Sequence, residues 1–177
     1  IAESSLAVFS QPFRGGYDFC SDPGISLDGD GRDPDFYEPP PPAECNGYHG
    51  TKTASIVASQ TTLQDDGMQG VAPNTTIVPI RVLGRCLSGY SSDLADAIVW
   101  ASGGEIQGLG YIPTGPVDVI LLALAGRGNC PTFMQSAINQ ANANGVAIIV
   151  AAGNHNTSTS LYFPANCRGV TVVGAVD

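Results

Sequence analysis

The chain is short of cations. Only 7 of its 177 residues are lysine or arginine, against 16 aspartates and glutamates, and the net charge is −9. Nucleic acid and anionic membrane surfaces attract the opposite balance, so neither is expected as a partner. Long hydrophobic runs are missing too. The best, VDVILLALAG (117–126) and GVAIIVAAG (145–153), are far shorter than a membrane-spanning helix and suit buried strands. Cysteines are few and scattered, at 20, 45, 86, 130 and 167, with no Cys-x-x-Cys pair. Cys45 and His49 alone stand at a zinc-like spacing and no second pair completes it, which argues against a metal cage or a redox motif. Dispersed cysteines in an acidic, lysine-poor chain point instead to a secreted protein with disulfides, one thiol being left over. No signal peptide is visible and Ile1 is not an initiator methionine, so the sequence reads as processed, excised or incomplete.

What is present suits one domain. Hydrophobic residues make up 43% of the chain and charged ones 13%, enough apolar material for a sizeable core. From residue 71 onward, strand-like and helix-like segments alternate. TTIVPIRVL (75–83), VDVILLAL (117–124), VAIIVAA (146–152) and VTVVGA (170–175) read as strands, the second covered on both faces. SSDLADAIVWAS (91–102) puts Leu94, Ala97, Ile98 and Ala101 on one helical face. TFMQSAINQANANG (132–145) opens with a Thr132/Gln135 capping box and stops at Asn144-Gly145. This rhythm predicts an α/β fold with a doubly wound, mostly parallel sheet. Residues 1–48 differ, being loop-rich, acidic and full of proline and glycine, whereas 49–177 form the α/β core.

Two places carry chemistry. VAAGN (150–154) ends a buried strand and delivers Asn154 beyond it, where ligands of open α/β sheets bind. HGTKTA (49–54) opens a helix with His49 at its positive end, which disfavours the charged imidazole and suits a general base.

These motifs resemble the subtilisin-like serine proteases, or subtilases, over nearly the whole chain. His49-Gly50-Thr51-x-x-Ala54 is similar to the catalytic-histidine motif, and GVAPNTTIVPIRVL (70–83) to a strand entry of the family. SGYSSDLADAIVWA (88–101) is similar to the substrate-edge segment and its helix, and DVILLALAG (118–126) to the strand before the Ser-Leu-Gly-Gly segment. GVAIIVAAGN (145–154) is similar to the oxyanion-hole motif. The resemblance implies a serine endopeptidase acting on protein or peptide substrates as a monomer, with no cofactor for catalysis. His49 would be the general base and Asn154 the oxyanion donor. Ser88 and Gly89, with Ala123, Leu124, Ala125 and Gly126, would flank the substrate backbone, and Ala151, Ala152 and Gly153 would line the first specificity pocket. It also implies disulfides Cys45–Cys86 and Cys130–Cys167, leaving Cys20 over.

Departures matter as much. The nucleophile motif Gly-Thr-Ser-x-Ala-x-Pro is absent, and Ile1 resembles the residue just after the Asp-Ser/Thr-Gly motif, so the chain is expected to be an internal fragment lacking the serine and the aspartate. Asp22-Pro23-Gly24-Ile25 has similar letters, but no apolar strand precedes it. Asp22, Asp28, Asp30 and Asp33 lie in a glycine-rich loop at spacings that suit a structural calcium ion, or equally a solvated acidic loop. Two rival readings remain: a catalytically dead subtilase-like domain that binds peptides or partners, and a calcium-binding α/β module.

Overall fold

In the computed structural model, residues 13–45, 47–60, 69–109 and 115–176 are described. They group into two compact units, 1–90 and 91–177.

The first unit is built on a short parallel pair, β1 (Tyr17–Asp18) with β2 (Ile80–Arg81), in register Tyr17↔Ile80 and Asp18↔Arg81. The strand expected over 75–83 shrinks to two residues. Pro79 has no N–H to give, and contact between the segments is carried by single bonds, Arg14 N–H to Ile77 O (3.1 Å), Tyr17 N–H to Pro79 O (3.1 Å) and Phe19 N–H to Arg81 O (2.8 Å). β1 itself falls where the sequence shows no apolar strand, because what it buries is partly polar: Asp18 is fully buried beside Phe19. Its partner Arg81 donates from Nη1 to Asp18 Oδ2 at 2.5 Å, from Nη1 to Asp28, and from Nη2 to the Ser26 carbonyl. One guanidinium thus ties the strand pair to the turn of helix that follows, α1 (Pro23–Ser26). A longer helix, α2 (His49–Ala58), turns Thr51 and Ala58 inward.

The second unit follows apolar periodicity. Helix α3 (Ser91–Ala101) buries Leu94, Ala97, Ile98 and Ala101, the face read from the sequence, together with Ala95 and Trp100. Helix α4 (Thr132–Ala143) buries Met134, Ala137, Ile138 and Ala141, a spacing of three and four residues that keeps one face inward. It packs against α3 and against β5 (Ala147–Ala151). Gly145, at φ 82°, takes the left-handed conformation that ends α4. Its other end is not a capping box. Pro131 is the N-cap, Thr132 is already helical, and Gln135 instead exchanges hydrogen bonds with the backbone of Arg168 (2.8 and 2.9 Å).

β3 (Val119–Leu122), β5 and β7 (Thr171–Val173) form a parallel sheet in the order β3–β5–β7. Ile120, Leu122, Ile148 and Val150 are buried on one face. On the other, Val119 and Leu121 are about half exposed, so β3 is not covered on both faces as its unbroken apolar run suggests. Such a run permits burial on both sides; within this unit only one side is packed. A two-residue antiparallel ladder joins β4 (Gly126–Arg127) to β6 (Tyr162–Phe163). Parallel strands with helices make this the α/β fold expected, and no described helix is long and apolar enough to cross a membrane.

Candidate functional site

Each unit positions part of the predicted site. In the first, His49 is the first residue of α2. The preceding Tyr48 is the N-cap, in left-handed backbone (φ 63°) and without a side-chain cap bond. Its N–H donates to Glu38 Oε1 (3.2 Å) and its carbonyl accepts the Lys52 N–H (3.0 Å). A positive helix end therefore stands at His49, as the sequence predicts. Four residues earlier, Cys45 is bonded to Cys86, with Cα atoms 4.9 Å apart. Two residues beyond Cys86 come Ser88 and Gly89. The Ser88 carbonyl accepts the Gly84 N–H (2.8 Å). A Cβ on Gly89 would overlap the Val82 carbonyl, so only glycine lets the edge segment run so close to the chain behind it.

In the second unit, β3 and β5 pair in parallel with Leu122 opposite Val150. Their carboxyl ends therefore leave the sheet side by side. One continues into Ala123, Leu124, Ala125 and Gly126, the other into Ala152, Gly153 and Asn154 after Ala151 closes β5. Ala152 still donates to the Val173 carbonyl (2.8 Å). Gly153 has φ 92°, which a residue with a side chain adopts only under strain. Asn154 then lies exposed just past the strand.

Tyr162 and Phe163 are neighbours of this site that the sequence reading missed. Through the β4–β6 ladder Phe163 stands opposite Gly126, and a Cβ on Gly126 would overlap its ring. Tyr162 is buried, and His155 stacks on it with ring centroids 4.5 Å apart. Two residues of strand leave no periodic signal, so nothing in the pattern could have flagged them. In the same unit, Cys130 is bonded to Cys167, with Cα atoms 5.2 Å apart. Both implied bridges are present, and Cys20 lies buried outside them.

The acidic loop resolves differently. Asp22 caps α1 through the Gly24 N–H (2.8 Å) and accepts the Tyr90 hydroxyl (3.2 Å), which makes it a helix-starting residue rather than the end of a strand. Asp28 is held by Arg81, and Asp33 accepts the Asp35 N–H. Asp30 offers its backbone carbonyl to the Ser26 hydroxyl (2.7 Å). Among the described residues no three His, Cys, Asp or Glu side chains gather as a metal group. The four carboxylates therefore do not fit one calcium cage; at least Asp22 and Asp28 are already committed to other partners. Burial, with the Asp30 and Asp28 carboxylates nearby, holds Asp33 above its ordinary pKa. Burial also pushes Asp18 up to about 6, against the pull of the Cys20 N–H and Arg81.

Residues 21–177 match the model of the subtilase family. The chain is 43% identical to an extracellular protease of Xanthomonas campestris pv. campestris, over 97% of this chain and 31% of that protein. It is 35% identical to an extracellular basic protease of Dichelobacter nodosus, over 90% of this chain and 28% of that protein. A solved structure of a protease from Pseudoalteromonas arctica superposes with a TM-score of 0.87 at 40% identity, covering 96% of this chain and 52% of the other. The chain thus spans about a third of the curated relatives it matches and about half of the solved one.

Proposed function

Because the chain belongs to the subtilase family, we propose that the whole protein is a secreted serine endopeptidase and that these residues are part of its one catalytic domain. His49 takes the proton of a serine hydroxyl as that oxygen attacks the scissile carbonyl, then returns it to the leaving amine. The Asn154 amide donates to the oxyanion that forms. The serine and its acid partner come from sequence outside these 177 residues, since neither motif occurs within them. Ser88 and Gly89 pair with the backbone of a protein or peptide substrate, as do Leu124 to Gly126. Ala151, Ala152 and Gly153 line the pocket for the residue before the cleaved bond. Ala125, where the family resemblance leads one to expect glycine, narrows that pocket and favours small residues there. The enzyme acts as a monomer and needs no cofactor for the chemistry.

The observation that carries this reading is the parallel register of β3 and β5. It supports a single cleft edge bearing Ala123–Gly126, Ala151–Gly153 and Asn154 together. Names of the relatives, extracellular proteases, agree with secretion. A peptidase assay on the full-length protein tests it. His49→Ala should lower turnover by about 10⁴-fold or more, and Asn154→Ala by about 10²–10³-fold with little change in KM. A full-length protein that binds peptides without cleaving them would support the catalytically dead reading instead.

A further inference from the structure

The Cys45–Cys86 bridge joins two segments that the proposed reaction needs in one place. Cys45 stands four residues before His49, and Cys86 two residues before Ser88. Regular structure begins only at His49 on one side and is a single three-residue turn, Arg85–Leu87, on the other. On the His49 side, a Cβ on Gly47 would overlap the Pro41 ring, and Tyr48 caps α2 in left-handed backbone without a side-chain bond. On the other side Cys86 and Leu87 both have positive φ, 51° and 62°. Backbone of that kind persists where its surroundings impose it. The flanking Arg85–Glu44 ion pair is exposed and, at 3.5 Å, adds little. The disulfide is the one covalent tie between the loop that delivers His49 and the turn that delivers Ser88 and Gly89.

The second bridge supplies a control inside the same chain. Cys130–Cys167 spans 37 residues and Cys45–Cys86 spans 41, so the chain-entropy contribution of the two is nearly equal. They differ in exposure. Cys86 is exposed, whereas Cys167 is 7% exposed.

Building on the endopeptidase reading, we propose that the Cys45–Cys86 disulfide is a positioning element for catalysis. It fixes the general base His49 relative to the substrate edge at Ser88–Gly89, and its reduction lowers activity beyond any loss of stability. The bridge touches no reacting atom and acts through His49 and the edge.

The test compares two variants of the full-length protein, Cys45→Ala/Cys86→Ala and Cys130→Ala/Cys167→Ala. Their melting temperatures should fall by similar amounts. Well below both midpoints, the first should lose about 10–100-fold in kcat/KM, as expected when reacting groups shift by about an ångström. The second should stay within about threefold of the parent protein. Should the first variant fail to fold, phosphine reduction of the second, with the opening of Cys45–Cys86 followed by thiol-labelling mass spectrometry, should lower activity in step with that bridge, and reoxidation should restore it. A readout independent of peptidase activity is the imidazole resonance of His49, assigned by its disappearance in a His49→Gln variant. Loss of Cys45–Cys86 should shift or broaden it, and loss of Cys130–Cys167 should leave it unchanged. Equal activity losses in the two variants, tracking their melting temperatures, would overturn the proposal, as would a His49 resonance indifferent to its bridge. If the parent protein cleaves nothing, the endopeptidase reading fails, and the His49 resonance still decides whether the bridge positions that side chain.

Discussion

In the second unit, apolar side chains hold the structure: Ile98, Met134, Ile138, Ile148 and Val150 are each 2% exposed or less. In the first, the buried apolar side chains among those described are Phe19, Cys20, Ala58 and Pro79, and the interior is completed by Asp18, Ser26, Thr51, Ser59 and Arg81. One region is made by many interchangeable contacts, the other by a few directed ones. Area burial tolerates small errors. A buried ion cluster does not, because removing one member leaves the others desolvated and unpaired.

The largest expected effect breaks the directed side of this contrast. Arg81→Ala should destabilise the protein by about 3–5 kcal/mol, since Asp18 then keeps a buried carboxylate without its cation. In the apolar unit, Ile138→Ala should cost about 2–5 kcal/mol, according to how far α4 closes over the cavity. Urea unfolding monitored at single residues in each unit reads both. The contrast fails if Arg81→Ala costs less than about 1 kcal/mol, the usual scale of a surface ion pair.

A smaller effect sharpens it through pH. The folded carboxyl of Asp18 titrates near 6, above its ordinary 3.8, so the folded state holds that proton more tightly than the unfolded chain. The stability it contributes is complete below about pH 4 and is lost as pH rises through about 6. Asp28 runs the other way. Burial raises it, but hydrogen bonds from Ser26 and Arg81 outweigh burial and leave it below its ordinary value, so its contribution is lost on acidification. Asp18→Asn should therefore reduce the decline between pH 4 and 6, leaving the share that comes from the raised Asp33, and keep the acid limb in place. Identical melting-temperature profiles for the variant and its parent would show that the apolar unit alone sets the pH response.

The smallest effect concerns calcium. With Asp22 and Asp28 committed elsewhere, chelator should move the melting temperature of this domain by less than about 1 °C, which is below the shift expected from a 1 kcal/mol change. A rise of several degrees on adding calcium would restore the acidic loop as a metal site.

The same contrast explains what could be read in advance. Leu94, Ala97, Ile98 and Ala101 announced α3 because a 3.6-residue period is written in consecutive residues. His49 and Asn154 could be picked out because each stands at the end of an element that its neighbours specify. Arg81 could not. Nothing around it in the sequence says that its partners lie 63 and 53 residues away. Tyr162 and Phe163 escaped for the same reason, their place beside Gly126 being set by a ladder too short to leave a pattern. Gln135 misled, since a side chain suited to capping its own helix is instead bonded to Arg168.

The separation between Asp18 and Arg81 also has a meaning in time. On a ribosome adding about 5–20 residues per second, roughly 3–13 s pass between the synthesis of the two. Throughout that interval the arginine to which Asp18 is bonded in the fold has yet to be made. The second unit pairs Val119 with Ala147 after only 28 residues (147 − 119), with α4 between them to nucleate it. During synthesis, then, the ion cluster of the first unit waits on a single arginine.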